Sequence, residues 1–215
     1  MRSMLLLSLL FACNTPAPVA QAPVAQAPVA QAPAPLEAET GPTTTLPDAS
    51  LYDLPVPLED QDGQKISLAV LRGQPVIVSM FYASCKAACP MLIARTRSVE
   101  SALSPAARSA LRFLFISFDP DRDTPEQLRA TAAEQGLDRA RWTLARPAPA
   151  DVRLLSGLLG VKFNRLENGD FNHSSVLVLL GRDGRPVARM GSLAEDSGAL
   201  IAGGMYAEPS APQGG

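Results

Sequence analysis

The sequence predicts an α/β domain with a mixed central sheet flanked by helices. Two near-continuous apolar runs, residues 76–82 and 111–118, are typical of strands covered on both faces of a sheet. Each run is followed by a segment with helical signals, and a hairpin-like segment rich in turn residues comes later. Strands that alternate with helices and then give way to a hairpin favour helices packed on a mixed sheet.

The composition is compatible with one folded domain plus extensions. The chain has 215 residues, of which 47% are hydrophobic, so a substantial core can form. The net charge is −2, and 19 basic residues are scattered among 21 acidic ones. This balance gives no indication of a nucleic-acid partner.

The first segment, residues 1–13, has the pattern of an export signal. A positive Arg2 precedes an apolar run, which is shorter than the roughly 20 residues that a membrane-spanning helix needs. Residues 10–13, LFAC, resemble the lipobox of bacterial lipoproteins, in which the cysteine is lipidated. We therefore expect a signal peptide that ends at a lipidated Cys13 and an exported, membrane-anchored protein facing the bacterial periplasm. A plain secretory signal and a short buried segment with a free thiol are the alternatives.

Two further segments have compositions that do not build a core. Residues 14–50 contain the repeat APVAQ three times in succession, and Pro-rich chain favours an extended conformation. We interpret these residues as a disordered spacer between the anchor and the domain. Residues 203–215 are rich in Gly, Pro and Ser and are predicted to form a disordered tail. The folded domain is therefore expected over residues 51–202.

The first half of this domain reads as follows. Residues 54–58 are extended, residues 59–63 form a turn, and residues 66–71 form a short strand or helical turn. After the strand at 76–82, a helix is expected over 90–103 because apolar residues recur at helical spacing. The strand at 111–118 precedes a helix with Thr124 as its N-cap and Pro125 at its first position, which ends near residue 135.

The second half continues the alternation. A short strand is predicted at 142–144 and a helix at 150–159, with Gly160 after it. Residues 161–170 suggest a hairpin, and residues 175–180 and 187–190 are predicted strands on either side of a tight turn. Residues 193–201 are compatible with a closing helix.

Two cysteines stand at the turn after the first buried strand. Cys85 and Cys89 are the only cysteines outside the first thirteen residues. A spacing of i, i+4 places two residues on one helix face, about 5–6 Å apart, so the pair can close a disulfide or converge on one metal ion. A helix N-terminus lowers the pKa of a thiol, and Lys86 could add to this effect.

The single histidine, His173, lies after a turn and opens the predicted strand HSSVLVLL. That position predicts a place at the end of the sheet, where ligand clefts form in α/β folds. Two thiolates and an imidazole suit Cu(I), or Cu(II) or zinc with a further ligand. A structural disulfide is the alternative for the cysteines, since it is the most common role of two cysteines in an exported protein. An ordinary polar residue is the alternative for the histidine, since a lone histidine more often has that role than the role of a ligand.

Three motifs together resemble the Sco/SenC family of copper chaperones. Residues 81–90, FYASCKAACP, resemble its F-x-x-x-C-x-x-x-C-P motif, and residues 118–125, FDPDRDTP, resemble its S-x-D-P-x-R-D-T-P segment. Residues 172–174, NHS, followed by an apolar strand and the turn RDG at 182–184, resemble its histidine-bearing hairpin. The three motifs occur in the family's order and cover roughly residues 50–200.

The resemblance implies a thioredoxin-like fold with an inserted hairpin that carries the histidine. It implies copper bound by Cys85, Cys89 and His173. It also implies delivery of copper to the Cu_A site of cytochrome c oxidase subunit II, or reduction of the cysteines of that site. Asp119, Arg122 and Asp123 match the family's acidic-basic segment, where they would support the ligands or contact the partner; helix capping and surface charge are the alternative.

The chain departs from the family pattern at two places. Lys86 stands where many members have proline after the first cysteine, which changes the local stiffness and the electrostatics of the thiol. Many members carry one transmembrane helix, whereas here a lipidated Cys13 would provide the tether. Neither departure removes a ligand.

Two functions follow as hypotheses. The first is a metallochaperone that binds copper through two thiolates and one imidazole and is not itself an enzyme. The second is a thiol-disulfide oxidoreductase, in which Cys85 attacks a partner disulfide and Cys89 resolves the mixed disulfide. His173 discriminates between them, because thiol chemistry needs only the cysteines. A peroxidase of related fold would need a peroxidatic-cysteine context that this sequence lacks.

Overall fold

The computed structural model describes residues 49–205, with the side chains of residues 204–205 left out of the description. All of these residues belong to one compact unit, Thr43–Gly215. The predicted signal peptide with Cys13, nearly all of the predicted spacer and residues 206–215 lie outside the described residues.

A seven-stranded mixed sheet forms the centre of the described part, and a separate two-stranded sheet accompanies it. The strands are β1 (Pro57–Asp60), β2 (Lys65–Ser67), β3 (Val76–Phe81), β4 (Arg112–Ser117), β5 (Trp142–Pro147), β6 (Phe163–Arg165), β7 (Phe171–His173), β8 (Leu177–Leu180) and β9 (Pro186–Met190). The main sheet has the order β2-β1-β5-β4-β3-β8-β9. β3, β4 and β5 are parallel, and the outer pairings are antiparallel. The predicted mixed α/β architecture is confirmed.

Five α-helices accompany these strands in the described residues. They are α1 (Ala88–Ser101), α2 (Pro105–Ala110), α3 (Pro125–Glu134), α4 (Val152–Leu159) and α5 (Gly198–Met205). Short 3-10 helices cover Leu51–Asp53, Leu68–Leu71 and Pro149–Asp151. Residues 66–71, for which a strand or a helical turn was expected, contain both: the end of β2 and then a 3-10 helix.

The core lies around the central strands. Every residue of β3 and of β8 is buried, and so is β4 apart from Arg112. This burial on both faces is what the near-continuous apolar runs predicted. The single tryptophan, Trp142, stacks on Phe113 with the ring centroids 4.2 Å apart. The aromatic pair fixes β5 against β4 inside the core.

The helix start signals act through identifiable hydrogen bonds. Thr124 Oγ1 accepts from the Gln127 N–H at 3.3 Å, with Pro125 at the first helical position, as predicted. The same Ser-Pro pattern starts α2, where Ser104 Oγ accepts from the Ala107 N–H at 3.2 Å. The sequence interpretation missed this helix because its six residues are too few to show a period.

Several predicted bounds need correction. The helix expected over 90–103 begins two residues earlier, at Ala88. His173 does not open the strand of the main sheet: it ends β7, and β8 begins only at Leu177. The closing helix, expected over 193–201, runs from Gly198 to Met205, so residues 203–205 of the predicted tail are helical.

The register of β3 against β4 decides where the candidate site lies. Phe81 pairs with Ser117, so the two parallel strands end side by side. The Phe118 N–H then donates to the Phe81 carbonyl at 3.0 Å. The loop that follows β3 and the loop that follows β4 therefore leave the same edge of the sheet, as expected for ligand sites in α/β folds.

Two leucines provide a matched test of this core. Leu114 in β4 is 1% exposed, whereas Leu154 on α4 is 48% exposed. We expect Leu114→Ala to lower the free energy of unfolding by about 2–5 kcal/mol, because truncation leaves a cavity. Leu154→Ala should change it by no more than about 0.5 kcal/mol. Urea denaturation followed by Trp142 fluorescence measures both, and equal effects would contradict the assignment of the core.

Candidate metal centre

The cysteine loop lies between β3 and α1. Cys89 is buried in the first turn of α1, and Cys85 is half-buried in the loop before it. The two thiols are free in this structure. The Cys89 N–H donates to Cys85 Sγ at 3.3 Å, while the N-cap residue Ala87 makes no side-chain capping bond. The Cys85 sulfur therefore takes the place of a capping oxygen at the N-terminus of α1.

This arrangement corrects one expectation. Because α1 begins at Ala88, Cys85 is not on the helix, and the i, i+4 spacing does not place both cysteines on one helical face. They approach each other because the loop turns back, with the Cys85 N–H donating to the Tyr82 carbonyl at 3.2 Å. Pro90 lies in the first turn of α1, as predicted.

His173 faces the cysteines from the end of β7. Its Nδ1 lies 3.2 Å from the Ser174 carbonyl oxygen, which can only accept a hydrogen bond. The proton of the neutral ring is thereby assigned to Nδ1, and Nε2 keeps its lone pair. Nε2 is buried and has no hydrogen-bond partner among the described residues. A buried ring nitrogen without a partner is expected where it ligates a metal, with the other ring nitrogen bonded to a carbonyl.

The three side chains converge on one point. One donor atom from each of Cys85, Cys89 and His173 lies within 4.8 Å of the other two. Two donors bound to one ion at about 2.3 Å each can be at most about 4.6 Å apart, so only a small inward movement is needed. Two sulfurs and an imidazole nitrogen are donors that soft or borderline metals prefer. The residues present therefore fit a copper ion.

The two thiols have opposite protonation properties. Hydrogen bonds from the Cys89 thiol and from the N–H groups of Cys89 and Ala87, together with the nearby His173 ring, lower the pKa of Cys85 to about 3, against the opposing effect of burial. The pKa of Cys89 is raised well above its usual value, because its thiol donates to Cys85 and is buried. The backbone donors are those of the helix N-terminus, as expected, whereas Lys86 is exposed.

Tyr82 completes the surroundings of the Cys85 sulfur. Burial and the negative charge of Cys85 raise the pKa of Tyr82 to about 12, so that its hydroxyl stays protonated and donates to the thiolate. The Tyr82 ring also meets the His173 ring edge-on, with the centroids 5.8 Å apart. Tyr82 therefore contacts both a sulfur and the imidazole of the candidate site.

Aromatic rings form a wall around the histidine. Phe118 lies 5.1 Å from the His173 ring and 5.1 Å from Phe171, and it stacks on Phe163 at 5.2 Å between centroids. The sequence interpretation gave these rings no role. Their positions contained a signal, since Tyr82 and Phe118 each directly follow a buried strand at the same sheet edge. An apolar wall lowers the local dielectric and limits the access of water to the ligands.

The predicted acidic-basic segment lies directly behind the cysteine loop. Asp123 is 1% exposed, and its Oδ2 accepts from the Ala83 N–H at 3.0 Å and from Ser117 Oγ at 2.5 Å. Ser117 Oγ in turn accepts from the Asp119 N–H at 2.9 Å. Burial raises the pKa of Asp123. These bonds hold the loop after β3 against the loop after β4.

Arg122 extends the segment to the histidine hairpin. Its side chain pairs with the buried Asp119, and its Nη2 donates to the Gly169 carbonyl at 2.7 Å. Its guanidinium also lies over the Phe171 ring, 5.6 Å from the centroid. All of the predicted site residues from 85 to 173 are thus brought to one edge of the sheet, whereas Cys13 lies outside the described residues.

The chain has relatives among known proteins. The sequence model of the SCO1/SenC family matches residues 46–202, so the chain belongs to the SCO1/SenC family. A SCO1 protein homolog of Bacillus subtilis is 30% identical over 88 residues, which are 41% of this chain and 45% of that protein. A protein of Stutzerimonas stutzeri, whose name proposes that it binds copper, is 30% identical over 131 residues, 59% of this chain and 63% of that one. The alignments therefore span less than two thirds of either relative.

Solved structures show the same fold. Arabidopsis thaliana ScoI, solved with copper bound, has a TM-score of 0.61 at 20% identity, covering 70% of this chain and 94% of that one. A SCO1/SenC family lipoprotein from Bacillus anthracis has a TM-score of 0.61 at 22% identity, covering 74% and 95%. BsSco is described as a member of the Sco family of cytochrome c oxidase assembly proteins with a disulfide switch. Its TM-score is 0.63 at 21% identity, covering 75% of this chain and 96% of that one. The thioredoxin-like fold expected from the resemblance is confirmed.

No helix within residues 49–205 combines the length and the apolar character that crossing a membrane requires.

The difference between the thiols can be measured by alkylation. In the reduced, metal-free protein we expect iodoacetamide to modify Cys85 from about pH 5 upward, because a thiol with a lowered pKa is already a thiolate there. Cys89 should stay unmodified under the same conditions. Mass spectrometry of the peptides gives the pH profile of each cysteine.

Cys89→Ala provides the control for the cause. It removes the strongest hydrogen bond to the Cys85 sulfur, so the pKa of Cys85 should rise and its modification at acidic pH should slow. A Cys85 profile that follows an ordinary thiol in the unchanged protein would contradict the site as described.

Proposed function

We propose that this protein binds copper through Cys85, Cys89 and His173 and carries it to a partner protein. The observation that supports this most strongly is the convergence of the three donors, with a buried His173 Nε2 that has no other partner among the described residues. Copper is present in the solved Arabidopsis relative of the same fold. The soft donor set favours Cu(I), and Cu(II) with a further ligand.

The protonation of the donors sets the order in which they can bind. Cys85 is a thiolate before any metal arrives, and His173 presents a free lone pair. Cys89 still carries its proton, which must leave when its sulfur becomes a ligand. Binding therefore releases a proton, and the affinity should rise with pH. Three donors also leave a position at which an incoming ligand of the partner can enter before the old ligands leave.

The partner that we propose is cytochrome c oxidase subunit II, at its Cu_A site. The support is membership of the SCO1/SenC family together with the description of BsSco as a cytochrome c oxidase assembly protein. We also propose that Cys13 is lipidated and that residues 14–50 form a spacer, so that the domain works at the periplasmic face of a membrane. The Bacillus anthracis relative is a lipoprotein, which supports this location.

A thiol-disulfide oxidoreductase is the second candidate, and the inequality of the two thiols favours it. The half-buried Cys85 thiolate would attack a partner disulfide, form a mixed disulfide and release one partner thiolate. Cys89 would then lose its proton and attack Cys85 Sγ, which closes the Cys85–Cys89 disulfide and releases the second partner thiol. Two electrons pass to the partner, and an exported dithiol reductant must reduce the pair again.

A single substitution separates the two functions. We expect His173→Ala to weaken Cu(I) binding by at least about 100-fold, since even groups that only support a ligand change affinity about 10- to 100-fold. Anaerobic competition with a chromophoric Cu(I) chelator measures the affinity of the reduced protein. Asn172→Ala is the matched control, because Asn172 is the exposed neighbour of His173 on β7.

The outcome decides between the candidates. A strong loss in His173→Ala with an unchanged Asn172→Ala protein supports the copper site. Weak binding by the unchanged protein, or equal affinities in all three, would refute it. The oxidoreductase would then be the better account, and the reduction potential of the Cys85–Cys89 pair would be the next quantity to measure.

A further inference from the structure

The histidine and the cysteines belong to separate structural units. His173 lies on the hairpin β6–β7, which forms a two-stranded sheet of its own, apart from the main sheet. Cys85 and Cys89 lie on the loop and helix that follow β3. The site is complete only while the hairpin stays over the cysteine loop. The groups that hold the hairpin in place therefore control whether the imidazole reaches the two sulfurs.

Arg122 reaches the hairpin from the side of the sheet. Its Nη2 donates to the Gly169 carbonyl at 2.7 Å, at the hairpin turn, and its guanidinium covers Phe171. Gly169 has φ 85°, a conformation that glycine tolerates best, and a Cβ there would lie 3.7 Å from Arg122 Nη1. The turn thus presents its carbonyl to the guanidinium at close range.

The anchor of Arg122 is buried and hydrogen-bonded. Asp119, its ion-pair partner, has a side chain that is 5% exposed, and the Asp119 N–H is bonded to Ser117 Oγ. Ser117 also donates to Asp123, which accepts from the Ala83 N–H in the cysteine loop. A continuous chain of hydrogen bonds therefore leads from the cysteine loop through the end of β4 to the hairpin turn.

We propose that Arg122 is a positioning residue that latches the histidine hairpin onto the cysteine loop. While Arg122 bonds to Gly169, His173 stays within reach of Cys85 and Cys89; when this bond opens, the hairpin can lift and remove the imidazole, leaving the two sulfurs. The latch thereby sets how tightly the third ligand is held and how readily copper passes to a partner. The copper-dependent part of this proposal rests on the proposed function.

Arg165 offers a matched comparison within the same hairpin. Its guanidinium also lies over Phe171, 5.8 Å from the ring centroid, but it belongs to β6 itself and is exposed. Arg122 and Arg165 therefore share the charge and the aromatic contact. They differ in that Arg122 joins the hairpin to the loop after β4. A change at Arg165 should leave the latch intact.

The first test is free of metal. Hydrogen–deuterium exchange of the full-length, reduced, copper-free protein measures opening of the hairpin directly. In Arg122→Gln we expect the amides of the hairpin, residues 163–173, to exchange about tenfold faster, the effect of losing one charge-assisted hydrogen bond. In Arg165→Gln they should exchange within about twofold of the unchanged protein. Hairpin amides that exchange at the same rate in Arg122→Gln as in the unchanged protein would overturn the proposal of a latch.

The second test is a double-mutant cycle on Cu(I) affinity. We expect Arg122→Gln to weaken binding about tenfold when His173 is present and less than about twofold in the His173→Ala background, because the latch acts only through the imidazole. An equal loss in both backgrounds would show that Arg122 supports the fold in general, and the proposal would fail. Arg122→Lys keeps the charge without the fork that bridges two partners, so it should recover part of the affinity.

The two tests also separate this proposal from the proposed function. If the unchanged protein does not bind copper, the proposed function fails, while the exchange rates still decide whether the latch exists. If the melting temperature of Arg122→Gln is far below that of the unchanged protein, Arg122→Lys takes its place in both tests. If the hairpin amides of Arg122→Lys then exchange no faster than those of the unchanged protein, that result contradicts the latch.

Discussion

The parallel pairing of β3 with β4 determines where the candidate site forms. Because Phe81 pairs with Ser117, the loop after each strand leaves the sheet at the same place. The buried Asp123 then fixes the two loops to each other through Ala83 and Ser117. A shift in this register would separate the cysteines from the acidic-basic segment. It would thereby also separate them from Arg122, the residue of that segment that bonds to the histidine hairpin.

The cysteine pair combines two chemical requirements in one place. The hydrogen bond from the Cys89 thiol and the N–H groups at the N-terminus of α1 stabilise the Cys85 thiolate, while that same bond and burial keep the proton on Cys89. This difference in protonation between the two thiols suits both candidate functions. A thiolate at Cys85 can bind a metal ion, and it can also attack a disulfide. The imidazole of His173 is the group that would distinguish the proposed copper site from a site for thiol-disulfide exchange. How firmly it is held therefore matters as much as its presence.

The sequence was informative where the chemistry is local. The buried runs of β3 and β4, the Thr124 cap with Pro125, and the scarcity of cysteine and histidine all act through neighbouring residues or through composition. They sufficed to predict the mixed sheet and the candidate ligands. The thioredoxin-like fold was predicted from the resemblance to the Sco/SenC family. The composition and periodicity of this sequence predict only a mixed α/β architecture.

What could not be predicted depends on contacts between distant segments. The hydrogen bond from Arg122 to Gly169 joins residues that are 47 positions apart, and no local sequence pattern predicts it. The placement of Cys85 before α1 follows from a loop that turns back on Tyr82, so the spacing of the cysteines suggested a shared helical face that does not exist. The aromatic wall likewise forms only when Phe163 and Phe171 of the hairpin meet Tyr82 and Phe118.

X-ray absorption at the copper edge of the Cu(I)-loaded, reduced protein identifies the donor atoms of the proposed site themselves. We expect two sulfur donors and one imidazole nitrogen, with the imidazole signal lost in His173→Ala. A copper ion surrounded by sulfur alone in the unchanged protein, or an imidazole signal that survives the substitution, would contradict the proposed site.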